Sequence, residues 1–314
     1  MKKYILYFIA FTFCGNSIAQ QDYQITHYMF DNLSFNPGSA GMNSDICVIM
    51  IGRQQWSGFT GSPQTALINV QSPVEILRGG LGLTYISDQL GFEKNNIARL
   101  SYSYHLPIGS GRLGIGASVG VFQKSFEDQW ITPSGTSSAA GDISDPTIKD
   151  VGGNSGTVPD INIGLFYKTK QLYFGLSTTH LGSFNVKNLN IQNVHHYWIT
   201  SGFNYDLNAD IELRPSILIK SDGSSSIMDI NINALYKNMI WGGLSYRFGD
   251  EIAPMFGYQH PFSDGSMLKV GYAYGITTSV IGKYSNGSHD LMLNYCFRIA
   301  KPMNVEKSKN PRFL

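Results

Sequence analysis

The sequence predicts an all-β chain, a transmembrane antiparallel up-and-down β-barrel of about fourteen strands with a plug-like segment ahead of the first. Three observations predict it. From about residue 45 onward, segments of roughly ten residues alternate apolar and polar side chains and are broken by Gly, Pro, Asn, Asp and Ser. Charged residues make up only 14% of the chain, against about 25% in a soluble domain, while Gly (34), Tyr (18) and Phe (18) are abundant. No stretch beyond the leader reaches the ~18 consecutive apolar residues of a spanning helix, so a membrane protein of this composition has to cross as strands.

The chain opens with Met1-Lys2-Lys3, an apolar run from Tyr4 to Phe13, and Ser17-Ile18-Ala19 ahead of Gln20. That is the order of a secretory signal peptide, and cleavage is expected after Ala19, making 1–19 a leader. The apolar run is about half the ~20 residues an uncleaved anchor helix needs. Lipoprotein processing at Cys14 is the alternative, but Phe11 and Phe13 stand where small or aliphatic residues are wanted. Residues 20–44 carry Tyr28, Met29, Phe30, Leu33 and Phe35, too apolar for a solvated tail, and reach a turn signal at Asn36-Pro37-Gly38. They are expected to form a short helix or turn at the periplasmic end, packed inside the barrel mouth.

The barrel is expected over 45–298. Its segments lie near 45–53, 64–72, 79–87, 94–106, 111–124, 159–168, 171–180, 194–206, 210–220, 226–236, 239–248, 252–260, 267–275 and 289–298. The alternation assigns faces: Leu268, Val270, Tyr272 and Tyr274 oppose Lys269, Gly271, Ala273 and Gly275, and Leu291, Leu293, Tyr295 and Phe297 oppose Met292, Asn294, Cys296 and Arg298. Ala98, Leu100, Tyr102 and Tyr104 likewise oppose Arg99, Ser101, Ser103 and His105, and Ile161, Ile163, Leu165 and Tyr167 share a face. Connections after even-numbered strands are short, as at Lys170 or Lys237-Asn238, whereas several after odd-numbered strands are long, notably Glu127 to Val158. Short periplasmic turns alternating with longer external loops place both termini in the periplasm. The polar segment 299–314 is expected to be a flexible periplasmic tail.

Enzymatic constellations fail on strand geometry, and no catalytic, cofactor or metal site is expected. Ser288-His289-Asp290 has triad residue types, but neighbours on a strand face opposite ways. The same argument separates His195 from His196, which also lack a Cys or His partner at ligand spacing. Gly114-x-Gly116-x-x-x-Gly120 has the wrong spacing for a dinucleotide loop, and its glycines are read as places where strands bend or a plug comes close. Cys47 and Cys296 fall in the first and last segments, which become neighbours on closure. They are either a disulfide, if register and face agree, or two free thiols, the reading preferred because register is not legible. A net charge of +1 gives no reason to expect nucleic acid.

Several blocks resemble the PorP/SprF family. They are His27-Tyr28-Met29-Phe30, Leu33, Asn36-Pro37 and Ala40-Gly41; Arg53-Gln54-Gln55-Trp56, Gly58, Gly61, Pro63 and Thr65; Arg214-Pro215-Ser216; Trp241 to Arg247; Gly271-Tyr272; and Ser285-Asn286-Gly287-Ser288-His289-Asp290 with Tyr295. The ending Asn310-Pro311-Arg312-Phe313-Leu314 is similar to the gliding-associated SprF branch. The resemblance implies an outer-membrane barrel of a Bacteroidetes-type bacterium working with other type IX secretion components. It also implies that the barrel receives or anchors the C-terminal domain of a large secreted protein or gliding adhesin. Residues expected to serve the plug or the partner surface are Tyr28, Phe30, Asn36, Pro37, Arg53, Trp56, Gly58, Pro63, Ser288 and His289. The connections 127–158, 181–193 and 276–288 are expected to form the docking surface, with Trp56 either part of it or folded over the mouth. A passive channel for small solutes is the rival reading.

Overall fold

The computed structural model describes residues 22–126, 130–131, 137–138, 155–182, 184–186, 191–192 and 194–298. The leader 1–19, most of the connection 127–158, part of 181–193 and the tail 299–314 lie outside the described residues.

Among the described residues, fourteen strands form one closed antiparallel sheet, with a two-residue bridge at Tyr205–Asp206 following the eighth. They are β1 (Ile46–Gln54), β2 (Gln64–Val74), β3 (Gly79–Leu90), β4 (Glu93–Ile108), β5 (Gly111–Phe126), β6 (Ser155–Lys168), β7 (Leu172–Thr179), β8 (His196–Phe203), β9 (Ile211–Ser221), β10 (Ser226–Tyr236), β11 (Ile240–Arg247), β12 (Glu251–Pro261), β13 (Met267–Thr277) and β14 (Ser288–Phe297). Each pairs with the next, and β14 returns to β1 from Ile46 opposite Phe297 to Gln54 opposite His289. Closure leaves no edge strand, so the backbone groups of every strand find partners within the sheet, as the hydrocarbon of a bilayer requires. Among the described residues no helix is long and apolar enough to cross a membrane.

The predicted faces hold strand by strand. On β3 the side chains of Leu81, Leu83 and Tyr85 are exposed on the outside of the barrel while Gly82, Thr84 and Ile86 are buried within it. On β14 Leu291 and Leu293 point out, and Met292 and Asn294 point in. Apolar side chains exposed all round the outside, over a polar and glycine-rich inner wall, suit a lipid-facing sheet whose lumen is filled by protein.

Connections between odd and following even strands gather at what is here the loop end, and the others at the turn end. At the loop end β3 and β4 extend beyond their predicted limits and meet across Gly91-Phe92 alone, with Gly91 at φ +58 supplying the left-handed residue of a two-residue hairpin. That connection is shorter than the loop–turn pattern implies.

Cys47 and Cys296 are paired in register and disulfide-bonded, correcting the preference for free thiols. Both belong to the inward parity of their strands, which adjacency alone could not establish. Cys47→Ser is expected to lower the free energy of unfolding by about 2–4 kcal/mol. The midpoint in urea should therefore fall under oxidising conditions and coincide with that of the reduced wild type.

The N-terminal segment, expected as a short helix or turn inside the barrel mouth, runs through the lumen from the loop end to the turn end. Asp22 lies beside His180 and His196, at the loop-end limits of β7 and β8. Residues 38–42 lie against β3, β4 and β5 near the turn end, where β1 begins. The segment therefore descends the barrel before the first strand climbs back. Its inner side chains need contacts along the whole wall, and a segment confined to one mouth could not supply them.

Candidate functional site

The regular elements of residues 22–42 are two single 3-10 turns, Tyr28–Phe30 and Pro37–Ser39, and even with the further turns closed at Asn36 and Met42 most of their backbone polar groups find no partner within the segment. A buried irregular backbone is tolerated only where something else bonds to it. The inward side chains of the wall do so. Lys220 Nζ donates to the carbonyl of Asp22 (2.7 Å), Arg247 Nη2 to Ile25 (3.5 Å), Arg99 Nη1 to Ser34 (2.9 Å) and Ser177 Oγ to Phe35 (2.7 Å). Lower down, Ser103 Oγ donates to Gly38 (2.8 Å) and Arg112 Nη2 to Met42 (2.9 Å). The polar parity of the strands thus serves the segment they enclose.

Close approach needs missing side chains at two places. A Cβ on Gly38 would stand 2.9 Å from the Gly164 carbonyl and the Phe166 amide, and one on Gly116 would strike Pro37 and Gly38. Gly41, at φ +65, lies against Gly80 of β3. Of the three glycines of the 114–120 run, Gly114 and Gly116 admit the segment, while Gly120 lies against β4. Asn36 fixes the turn: its Oδ1 accepts from the Gly38 amide (2.9 Å) and its Nδ2 donates to the Leu165 carbonyl (2.9 Å). Asn36→Ala strands these buried partners and is expected to cost about 1–3 kcal/mol. An unchanged urea midpoint for that variant would refute this anchoring role.

Two ionic clusters hold the upper half of the segment. In the first, Arg53 of β1 reaches Glu251 of β12 (2.8 Å) and Asp290 of β14 (3.5 Å) and bonds to Thr26. Asp290 also accepts from the Thr26 amide (2.9 Å) and is bonded to His27 Nδ1. Arg247 grips Asp229 through two nitrogens (2.8 and 3.2 Å). In the second cluster, Arg99 pairs with Asp160, which bonds through its other oxygen to His180 Nδ1 (2.8 Å). His180 Nε2 meets Asp22 Oδ2 at 3.3 Å, and the Asp22 amide donates to His196 Nε2 (3.3 Å). Burial alone would lower the His180 pKa and raise that of Asp22. The charge of Asp22 and the bonds to Asp160 and Asp22 raise His180 instead, and His180, His196 and Arg99 hold Asp22 well below the usual carboxylate range.

The predicted site residues divide into three groups. Tyr28, Phe30, Asn36, Pro37 and Arg53 meet in the lumen, where Tyr28 is fully buried and accepts from Ser216 Oγ (3.2 Å), and the Phe30 ring lies 4.9 Å from Trp241. Trp56, Gly58, Pro63 and Ser288 belong to a strap across the loop end. Trp56 donates its amide to Ser288 Oγ (3.1 Å) and its Nε1 to Asp250 (3.3 Å), the Pro63 carbonyl accepts from Gln55 (2.9 Å), and Gly58, at φ +114, abuts Asn286. His289 points outward and bonds to Tyr272 Oη (2.7 Å). Parity thus separates it from Ser288 and Asp290, which face in.

Sequence reasoning did not single out Asp22, Arg99, Asp160, His180, His196, Asp229, Arg247 and Glu251 as a site. The available signal was that the charged residues among them that lie on strands all have inward parity. Which cation meets which carboxylate depends on strand order around the barrel.

A family model described as "Type IX secretion system membrane protein PorP/SprF" matches residues 17–295. No curated protein matches the sequence. Among solved structures, the chain is similar to the P. putida toluene transporter TodX, with a TM-score of 0.53 and 12% identity over 85% of this chain and 93% of that one. It is also similar to the CymD monoaromatic hydrocarbon channel, with a TM-score of 0.51 and 12% identity over 86% and 92%. At these identities the likeness is one of fold.

Proposed function

The chain belongs to the PorP/SprF family of type IX secretion system membrane proteins, and from that membership we propose that it binds or anchors the C-terminal domain of a secreted surface protein or gliding adhesin. It does so without catalysing a reaction, and the loop end is the external face. The observation that carries this reading is how apolar surface is distributed at that end. The strap around Trp56 is bonded to Gly287, Ser288 and Asp250, while Val280 (81% exposed) and Tyr284 (73%) stand on the turn between β13 and β14 and Phe59 is exposed in the strap connection. Exposed aromatic and aliphatic side chains on connections at one end of the barrel suit a protein partner better than a solute. Membership of the gliding-associated branch, with an adhesin as the dedicated partner, is part of the same proposal.

Affinity purification of the tagged protein from mildly solubilised outer membranes tests it, with mass spectrometry of what stays bound. The expected result is one large secreted protein, lost when its C-terminal domain is deleted and weakened by Val280→Asp with Tyr284→Ser. A barrel that retains no secreted protein would refute the proposal.

The rival reading, a passive channel, draws on one feature: a cavity of about 260 Å³ between the segment and the wall, lined by Lys168, Arg214 and Lys269 toward the turn end. Large stable currents from the isolated wild-type protein in planar bilayers would favour it.

A further inference from the structure

We propose that Asp22, His180 and His196 form a binding site for a divalent transition-metal ion, which fastens the start of the N-terminal segment to the loop end of the barrel. One ligand atom from each of the three lies within 4.8 Å of the others, and both imidazoles are buried.

Each ring is oriented by its other nitrogen. His180 Nδ1 is held by the Asp160 carboxylate (2.8 Å) and His196 Nδ1 by the Val194 carbonyl (3.1 Å), so that with a proton on each Nδ1 both Nε2 atoms are left for the ion, His180 Nε2 first releasing to solvent the proton it shares with Asp22. An oxygen acceptor behind each ligating imidazole is the arrangement that fixes tautomer and ring plane in metal sites. The backbone at His180 adds an independent sign. Its φ of +60 is left-handed, uncommon outside glycine, and it is held there by a bond from its amide to Asn162 Oδ1 (2.9 Å). β7 ends at Thr179, and this twist turns the ring of His180 into the lumen.

The donor set selects the ion. Two imidazole nitrogens and one carboxylate suit a late first-row divalent ion such as Zn²⁺, with a position left for water, whereas Ca²⁺ and Mg²⁺ want oxygen. Arg99 and Lys220 stand close by, Arg99 Nη2 at 3.5 Å from His180 Nε2, and they disfavour an ion held by charge alone. Arg99 remains occupied by Asp160 and the Ser34 carbonyl, which leaves the His196 side for the ion. With bonds of ~2.1 Å at tetrahedral angles the ligand atoms around the ion stand about 3.4 Å apart, so the site closes by side-chain movements of about an ångström. The bond from the Asp22 amide to His196 Nε2 gives way in the process.

The full-length protein, purified in detergent, stripped with chelator and titrated calorimetrically with Zn²⁺, provides the test. One ion per chain is expected. His196→Ala and Asp22→Asn should each weaken binding by about 100-fold or more, since a lost ligand costs at least what a lost outer partner does. Co²⁺ in place of Zn²⁺ should give visible ligand-field bands that neither variant shows. Folding is checked independently by the heat-modifiable migration of the barrel; should one variant fail to fold, the other carries the comparison. No binding by the wild type, or binding undiminished in a folded variant, overturns the proposal. Neither result bears on whether the loop end holds a protein partner.

Discussion

Replacing Arg53 with Met should destabilise the barrel by about 3–5 kcal/mol, the cost of breaking a buried ion pair from one side. The guanidinium is 1% exposed and faces Glu251 and Asp290, themselves 2% and 1% exposed. Without it, two carboxylates are left on the inner wall with His27 bonded to one of them and Arg247 no closer than 3.8 Å to the other. The intact cluster need not add net stability over an apolar filling, because desolvating its charges offsets their attraction. A triple variant, Arg53→Met with Glu251→Gln and Asp290→Asn, should therefore recover much of the loss. Since the pairs are buried, added salt should leave the wild-type midpoint nearly unmoved. Urea unfolding of the protein in lipid vesicles reads all three. An Arg53→Met variant that unfolds at the wild-type midpoint would remove the cluster from the account of stability.

Deleting residues 22–42 should open the lumen, giving a variant of far larger conductance than the wild type. The segment fills the lumen from the Asp22 cluster down to Met42, and Tyr28, Phe35 and Leu33 are buried against the wall. The wall itself depends less on the segment than the segment does on the wall. Its ladders are complete without it, and its charges and hydroxyls would be solvated by water entering the barrel. The deletion variant should accordingly fold and show discrete conductance steps. Gly116→Val, whose side chain intrudes on Pro37 and Gly38, should give smaller or flickering steps. Wild-type currents as large as those of the deletion variant would show that the segment does not close the lumen. A folded deletion variant with no current would show that something else does.

Much of this protein was legible residue by residue. The period of two follows from the strand backbone itself, so the faces of 94–106, 267–275 and 289–298 could be assigned without knowing any neighbour. The apolar content of 20–44 announced a buried segment, and the parity of Ser288, His289 and Asp290 argued against a triad before their surroundings were known.

What could not be read depends on how strands meet. Cys47 faces Cys296 because β1 and β14 close the sheet in one register, and a shift of one residue would have turned one thiol to the lipid. His196 lies beside His180 and Asp22 because β7 pairs with β8 and the N-terminal segment runs down from the loop end. The sequence by itself determined that this chain is a barrel, which side chains line it and where its turns fall, because those properties arise from local backbone geometry and hydrophobic period. Tertiary structure alone decided which charges pair, which cysteines join and in which direction the lumen is threaded, because those contacts join residues as many as 264 positions apart, and no local rule spans that distance.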